Sequence, residues 1–230
     1  MRRVFTLYGS SVGKKTTMAL SGLVIVGWLF GHMTGNLKAF LGTNEAGLHH
    51  IDEYAEFLRT MGEPVLPEGV ALWGIRLLML ALISVHIISA TQLYLQSRAA
   101  RTTGYTKMES LSFTYASRTM RWGGVIILLY IVYHLLHMTV GSVHPDFEAG
   151  AVYRNLVTGF RSPLVVGAYT VATFALGLHL YHGLWSIFQT LGASHPRYDD
   201  VRRPLAAVLT LVIVGGFLSV PFAVLLGFLQ

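Results

Sequence analysis

An all-α protein that crosses a membrane five times is the fold class this sequence predicts, and three observations predict it. The chain of 230 residues is 53% hydrophobic but only 12% charged, about half the charged share of an ordinary soluble domain. Its mean hydropathy is +0.55. Its apolar residues gather into five runs, at 17–41, 69–96, 119–141, 163–191 and 205–229, each at or above the ~20 residues a helix needs to span the hydrocarbon core. A soluble all-helical protein is the disfavoured alternative. The sequence has no Cys, which excludes disulfides, thiolate catalysis and Cys-ligated clusters within the chain.

The first run is too long for a signal-peptide core and shows no clear cleavage site, so it reads as a retained span. Gly9–Thr17 before it looks like a phosphate loop, but only three residues separate its glycines and Lys15 follows Lys14, whereas that motif needs four and then Lys-Ser/Thr. A membrane-entry segment with flanking lysines explains it better. The connection from Gly42 to Glu68 carries six acidic residues and is too polar to cross. Within it His49–Met61 has an amphipathic pattern, with Ile51, Tyr54, Ala55 and Leu58 on one side, and Pro64 and Pro67 end it before span two. The connection between spans three and four, Ser142–Ser162, has room for a shorter helix at Val152–Thr158. No fixed-period repeat or low-complexity tract is visible, and the expectation is one domain, 1–230.

Orientation follows from the basic residues. Arg2, Arg3, Lys14 and Lys15 precede span one; Arg98, Arg101, Lys107, Arg118 and Arg121 lie between or at the ends of spans two and three; Arg197, Arg202 and Arg203 lie between spans four and five. The other side holds only Lys38, Arg59, Arg154 and Arg161. The positive-inside rule then places the N-terminus and the 2–3 and 4–5 loops in the cytoplasm and the C-terminus outside. This is a multi-pass protein of the inner (cytoplasmic) membrane, surrounded by membrane lipid. Its net charge of +6 describes topology, and basic–aromatic interleaving of the kind that binds nucleic acid is absent.

Six histidines fall inside the spans: His32, His86, His134, His137, His179 and His182. Polar groups at that depth are costly unless paired and often mark function; hydrogen bonding to a neighbouring helix is the bland alternative for each. Depth sorts them. Spans one and three run outward, and His32 and His134 each lie about 15 residues in, roughly 22 Å at 1.5 Å per residue. Spans two and four run inward, which brings His86 and His179 together in the inner half. Two imidazoles on facing helices can clamp a haem iron from both faces and leave no open position, which suits electron transfer. A closed zinc site wants four ligands, and the absence of carboxylates at these depths supports neither a di-iron cluster nor a carboxylate proton chain. Gly22, Gly27, Gly31 and Gly35 in span one, with Gly177 and Gly183 around His179, keep helix faces slim; close helix packing alone accounts for them equally well.

With these residues in view, the chain resembles the cytochrome b membrane-anchor subunit of succinate:quinone oxidoreductases and fumarate reductases, of the single-chain, five-helix, di-haem kind. The similar pieces are SGLVIVGWLFGHMTGNL at 21–37, LISVHIIS at 82–89, IVYH at 131–134 and HLYHGLWS at 179–186. The last is similar to a pattern in which a ligand histidine stands four residues before a glycine, which selects His179. His137 and His182, each three residues beyond its partner and near the same helix face, depart from the common pattern and remain rival ligands. The resemblance implies two haem b groups, a flavoprotein subunit and an iron–sulfur subunit docked on the basic face, and menaquinone or another quinone as substrate. It implies a succinate dehydrogenase or fumarate reductase complex in which this chain carries electrons and reacts with quinone while the flavoprotein handles succinate, and in which the whole complex can oligomerise. A di-haem subunit of another membrane oxidoreductase, such as a formate dehydrogenase or hydrogenase, and a non-redox transport or structural membrane protein are the alternatives.

Further residues carry expectations. Arg76, one or two turns inside the outer end of span two, needs an anion or must snorkel to headgroups; haem propionates are the internal anions at hand. Oxidation of a hydroquinone releases two protons, so a site near the outer haem needs an acceptor. Glu68 is nearest the membrane boundary, with Glu63, His49 and His50 close by in sequence; solvated loop carboxylates are the bland alternative. Ser84, Ser89 and Tyr94 mark a rival quinone site on the cytoplasmic side.

Overall fold

A computed structural model describes residues 8–100, 115–193 and 195–230. Helix α1 (Ser11–Asn36) begins where the Ser10 side chain accepts the Gly13 N–H at 2.9 Å, an N-cap that satisfies one of the orphan donors of the first turn. A 3-10 turn, Leu37–Leu41, continues it. Gly42 then takes φ +72°, a left-handed conformation that glycine reaches without strain. After α2 (His50–Thr60) comes α3 (Val70–Ala99), then α4 (Tyr115–Leu135) with a π turn at Leu136–Val140. Gly141 stops that turn at φ +80°. Next are α5 (Val152–Phe160), α6 (Pro163–Thr190) and α7 (Pro196–Leu225). Pro at the first positions of α6 and α7 starts each helix where no amide partner is needed.

Five helices among the described residues are long and apolar enough to cross a membrane: α1 with its 3-10 turn, α3, α4 with its π turn, α6 and α7. The fold is all-α, a five-span transmembrane bundle. Helix α7 starts nine residues before the expected 205, because His195 caps it by accepting the Arg197 N–H and Pro196 opens its first turn. The short helices match the expected segments closely. Asp52 and Glu53 in the first turn of α2 and Arg59 in its last complement the helix dipole.

The helices are layered in the order α3–α1–α6–α4, and α7 lies against both α6 and α1. Leu180, Leu184, Ala206 and Ile213 form the central α6–α7 core, with Val26, Leu29 and Phe217 packed on it. A Cβ on Gly177 would lie 2.9 Å from Val214 Cγ2, so a bare backbone there sets how closely these helices approach. Large apolar side chains such as Leu77, Leu80, Leu129, Phe174 and Leu211 point outward, as a lipid-facing surface requires.

Helices α2 and α5 close one end, hereafter the capped end. Ile51, Ala39 and Val220 are buried beneath them. Tyr153 ties the cap together: its backbone N–H donates to Asp52 Oδ1 at 2.9 Å and its ring stacks on His49 at 3.5 Å. The opposite, basic end carries Lys14, Arg98, Arg121, Arg202 and Arg203. Arg2, Arg3, Arg101 and Lys107 lie outside the described residues.

Candidate functional site

Two histidine pairs stand at two levels of the bundle. Nearer the capped end, the rings of His32 on α1 and His134 on α4 have centroids 5.9 Å apart at 75°. His32 stacks on Trp28 at 5.0 Å and meets Phe217 at 5.7 Å. His134 Nδ1 lies 3.2 Å from the Tyr169 hydroxyl. Nearer the basic end, His86 on α3 and His179 on α6 have centroids 6.1 Å apart at 59°. His86 Nδ1 lies 3.0 Å from the Met18 carbonyl and 3.3 Å from Ser21 Oγ. A proton on Nδ1 donated to that carbonyl leaves Nε2 free as a ligand, the usual outer-shell arrangement for a metal-bound histidine. A Cβ on Gly22 would come 3.2 Å from His86 Cε1, so glycine lets α1 lie along the imidazole.

The separation within each pair is compatible with a shared metal centre. A metal–imidazole nitrogen bond is about 2 Å long and a ring centre lies about 1 Å beyond the nitrogen, so two axial imidazoles on one ion sit about 6 Å apart. No hydrogen bond joins the two rings of either pair among the described residues. The helices that carry each pair, α1 with α4 and α3 with α6, touch at most marginally, so each pair bridges a gap between helices. No group of three or more ligand side chains comes together among the described residues. A bare ion needing a closed protein shell is therefore poorly served. A macrocycle that brings four nitrogens of its own would ask only two of the protein, the number each pair offers.

The neighbouring histidines turn elsewhere. His137, in the π turn, is fully buried and faces α5: its ring stacks on Tyr133 at 5.5 Å and on His144 at 5.0 Å. A Cβ on Gly159 would lie 3.1 Å from His137 Nε2, so α5 seals that nitrogen. His182 meets Trp185 edge-on at 5.3 Å. His179 and His182 each bury Nδ1 with no hydrogen-bond partner among the described residues.

A cavity of about 400 Å³ opens beneath the cap, lined by Ala55, Leu58, Arg59, Glu68, Gly69, Leu72, Trp73, Arg76 and Val152. Glu68 and Arg76 therefore share one wall system, and the Arg76 guanidinium lies 5.0 Å over the Trp73 ring. Glu63 is exposed in the turn before α3, outside this lining. His50 pairs with Glu53 at 3.0 Å, and His49 is engaged by Tyr153. Arg59 and Trp73 were not singled out from sequence; an arginine on a loop helix and a tryptophan at a span end read as surface and interfacial belt.

At the basic end a second cavity of about 400 Å³ is lined by Trp185, Gln189, Asp200, Arg202, Arg203 and Pro204. The rival residues on that side have the following surroundings. Ser84 donates to the Leu80 carbonyl, Ser89 is fully buried beside the Tyr8 hydroxyl, and Tyr94 lies between Arg98 and Arg121.

One comparison with known proteins decides the family. Residues 96–218, more than half of the chain, match the family described as succinate dehydrogenase/fumarate reductase transmembrane subunit. The chain belongs to this family. No curated protein and no solved structure matches it. The matched stretch contains His134 and His179, while His32 and His86 lie before it. Family membership makes this a membrane subunit of an oxidoreductase complex.

Proposed function

We propose that this chain is the di-haem cytochrome b anchor of a succinate:quinone oxidoreductase, working as one membrane unit that passes electrons between an iron–sulfur subunit and a quinone. The two histidine pairs, each spanning an interhelical gap with ring centres about 6 Å apart, carry this reading. His32 with His134 would hold one haem b and His86 with His179 the other. Bound there, the haems supply one-electron transfer across the bundle. A haem held by two imidazoles would suit electron transfer and leave no position for oxygen.

The protein's own contribution is positional. Met18 fixes the His86 tautomer, Gly22 admits α1 beside it, and Trp28 and Phe217 hold the His32 ring. The cavity under the cap suits a quinone head, with Trp73 as an aromatic wall, Arg76 as a donor to a quinone oxygen and Glu68 as the acceptor of protons released on hydroquinone oxidation. Arg76 seated over Trp73 in this cavity supports a quinone contact alongside the haem-propionate role expected for it. Glu63, outside the lining, serves at most as a relay to solvent. The basic end, with Arg98, Arg121, Arg202 and Arg203, faces the cytoplasm and receives the iron–sulfur and flavoprotein subunits; the flavoprotein performs the succinate or fumarate chemistry.

Purification from native membranes tests the reading directly. Two haem b per chain by pyridine haemochromogen, low-spin spectra, and co-purifying flavoprotein and iron–sulfur subunits are expected. A preparation with these subunits but without haem would overturn the di-haem assignment.

A further inference from the structure

Tyr169 belongs to neither histidine pair, yet its hydroxyl touches two imidazoles. It sits near the start of α6 and is buried at 5% exposure. Its oxygen is 3.2 Å from His134 Nδ1 and 2.9 Å from His137 Nδ1. The ring cannot drift: Phe160 meets it edge-on at 4.8 Å and Tyr130 at 5.1 Å. A phenol has one proton to give and can accept others, so the chain of bonds has a direction to be assigned.

Iron on His134 assigns it. A histidine that binds metal through Nε2 carries its proton on Nδ1. That proton points at the Tyr169 oxygen, which must accept it. The Tyr169 proton then goes to His137 Nδ1, and His137 keeps its own proton on Nε2. This nitrogen is the buried one with no partner among the described residues. His137 Nε2 has no partner among the described residues in either tautomer, so its Nδ1 can accept at no added cost, and that acceptance holds the phenol proton away from His134.

We propose that Tyr169 is the positioning residue of the capped-end haem, its hydroxyl accepting the His134 Nδ1–H and oriented by donation to His137. This rests on the di-haem reading and deepens it, since it gives His137 a role as the orienting group of the ligand's partner. Its chemical consequence is electronic. An acceptor on the distant N–H makes a ligand imidazole more basic and so favours the oxidised iron. Tyr169 holds the potential of the capped-end haem down, and removing its hydroxyl raises that potential.

The test is a redox titration of the assembled complex carrying Tyr169→Phe, which keeps the ring contacts and deletes the oxygen. Two haems retained, with the potential of one raised and the other unchanged, is the expected result. Two haems with unchanged potentials, or an equal shift in both, would overturn the proposal and leave the di-haem reading standing. Absence of haem from the wild-type complex would overturn both. Should Tyr169→Phe lose haem or fail to assemble, 3,5-difluorotyrosine at position 169 decides. Its shape and hydroxyl are preserved while its oxygen, titrated at about pH 6 so that the more acidic phenol stays protonated, accepts more weakly, so a smaller rise confined to one haem is expected, and no rise refutes the role.

Discussion

The four pair-forming histidines differ in what surrounds each imidazole, and those surroundings set what substitution does. His134→Ala removes one of the two proposed ligands at the capped-end level, and the expected outcome is one haem per chain in place of two, read by haemochromogen and by loss of one step in the redox titration. His137→Ala should retain both haems, because its ring faces His144 and Gly159 and not His32. Retention of both haems in His134→Ala would instead move the ligand to His137. Glu68→Gln keeps the size of the side chain and removes its basicity. It should slow quinone-dependent turnover by roughly the 10²–10⁴-fold typical of a lost general base, with succinate oxidation by an artificial acceptor and both haems unaffected. Undiminished quinone turnover would take Glu68 out of the mechanism.

At the scale of elements, the helix interfaces fall into two kinds. Where helices pack directly, as α6 does on α7, small residues bring the backbones together; where histidines face one another, the helices stay apart. Gly177 belongs to the first kind. Alanine there would push into Val214 Cγ2 at 2.9 Å, and a β-branched side chain has little freedom to yield. Overpacking of this sort costs about 1–3 kcal/mol, so Gly177→Ala should lower the thermal midpoint of the detergent-solubilised protein, and Val214→Ala in the same chain should restore part of it. Gly22→Ala, by contrast, meets an imidazole carbon at 3.2 Å and should disturb the basic-end haem spectrum more than the thermal midpoint. The two glycines look alike in sequence and are distinguished by what stands opposite them.

For the whole molecule the decisive property is which end faces the cytoplasm. From the basic bias we propose that the capped end faces outside, together with the cavity around Glu68 and the His32–His134 level. A reporter fused at Gln230 should behave as external and one at Thr106, which lies outside the described residues, as internal. The reverse labelling would invert the bundle and exchange the inner and outer haem levels without altering either pair. Protons from quinol oxidation at the capped end would then be released on the opposite side, so topology decides the direction of charge movement.

Span number, helix class and the approximate depth of each histidine were legible in the sequence because they depend on local quantities: the length of an apolar run, the rise per residue and the tally of flanking charges. Pairing His32 with His134 and His86 with His179 needed only depth and alternating direction, and the folded chain brings those rings within about 6 Å of one another. Rotation about a helix axis is different. His134 and His137 are three residues apart on one helix, and only the π turn at Leu136–Val140, with α5 packed over it, turns His137 away from α1. Tyr169 is 35 residues from His134 and reads in sequence as an ordinary aromatic near a membrane boundary. Arg59 and Trp73 join Glu68 and Arg76 only because the cap folds back on α3. Such contacts are settled by how helices rotate and seal against one another, since a side chain's partners across an interface depend on packing that no single segment encodes.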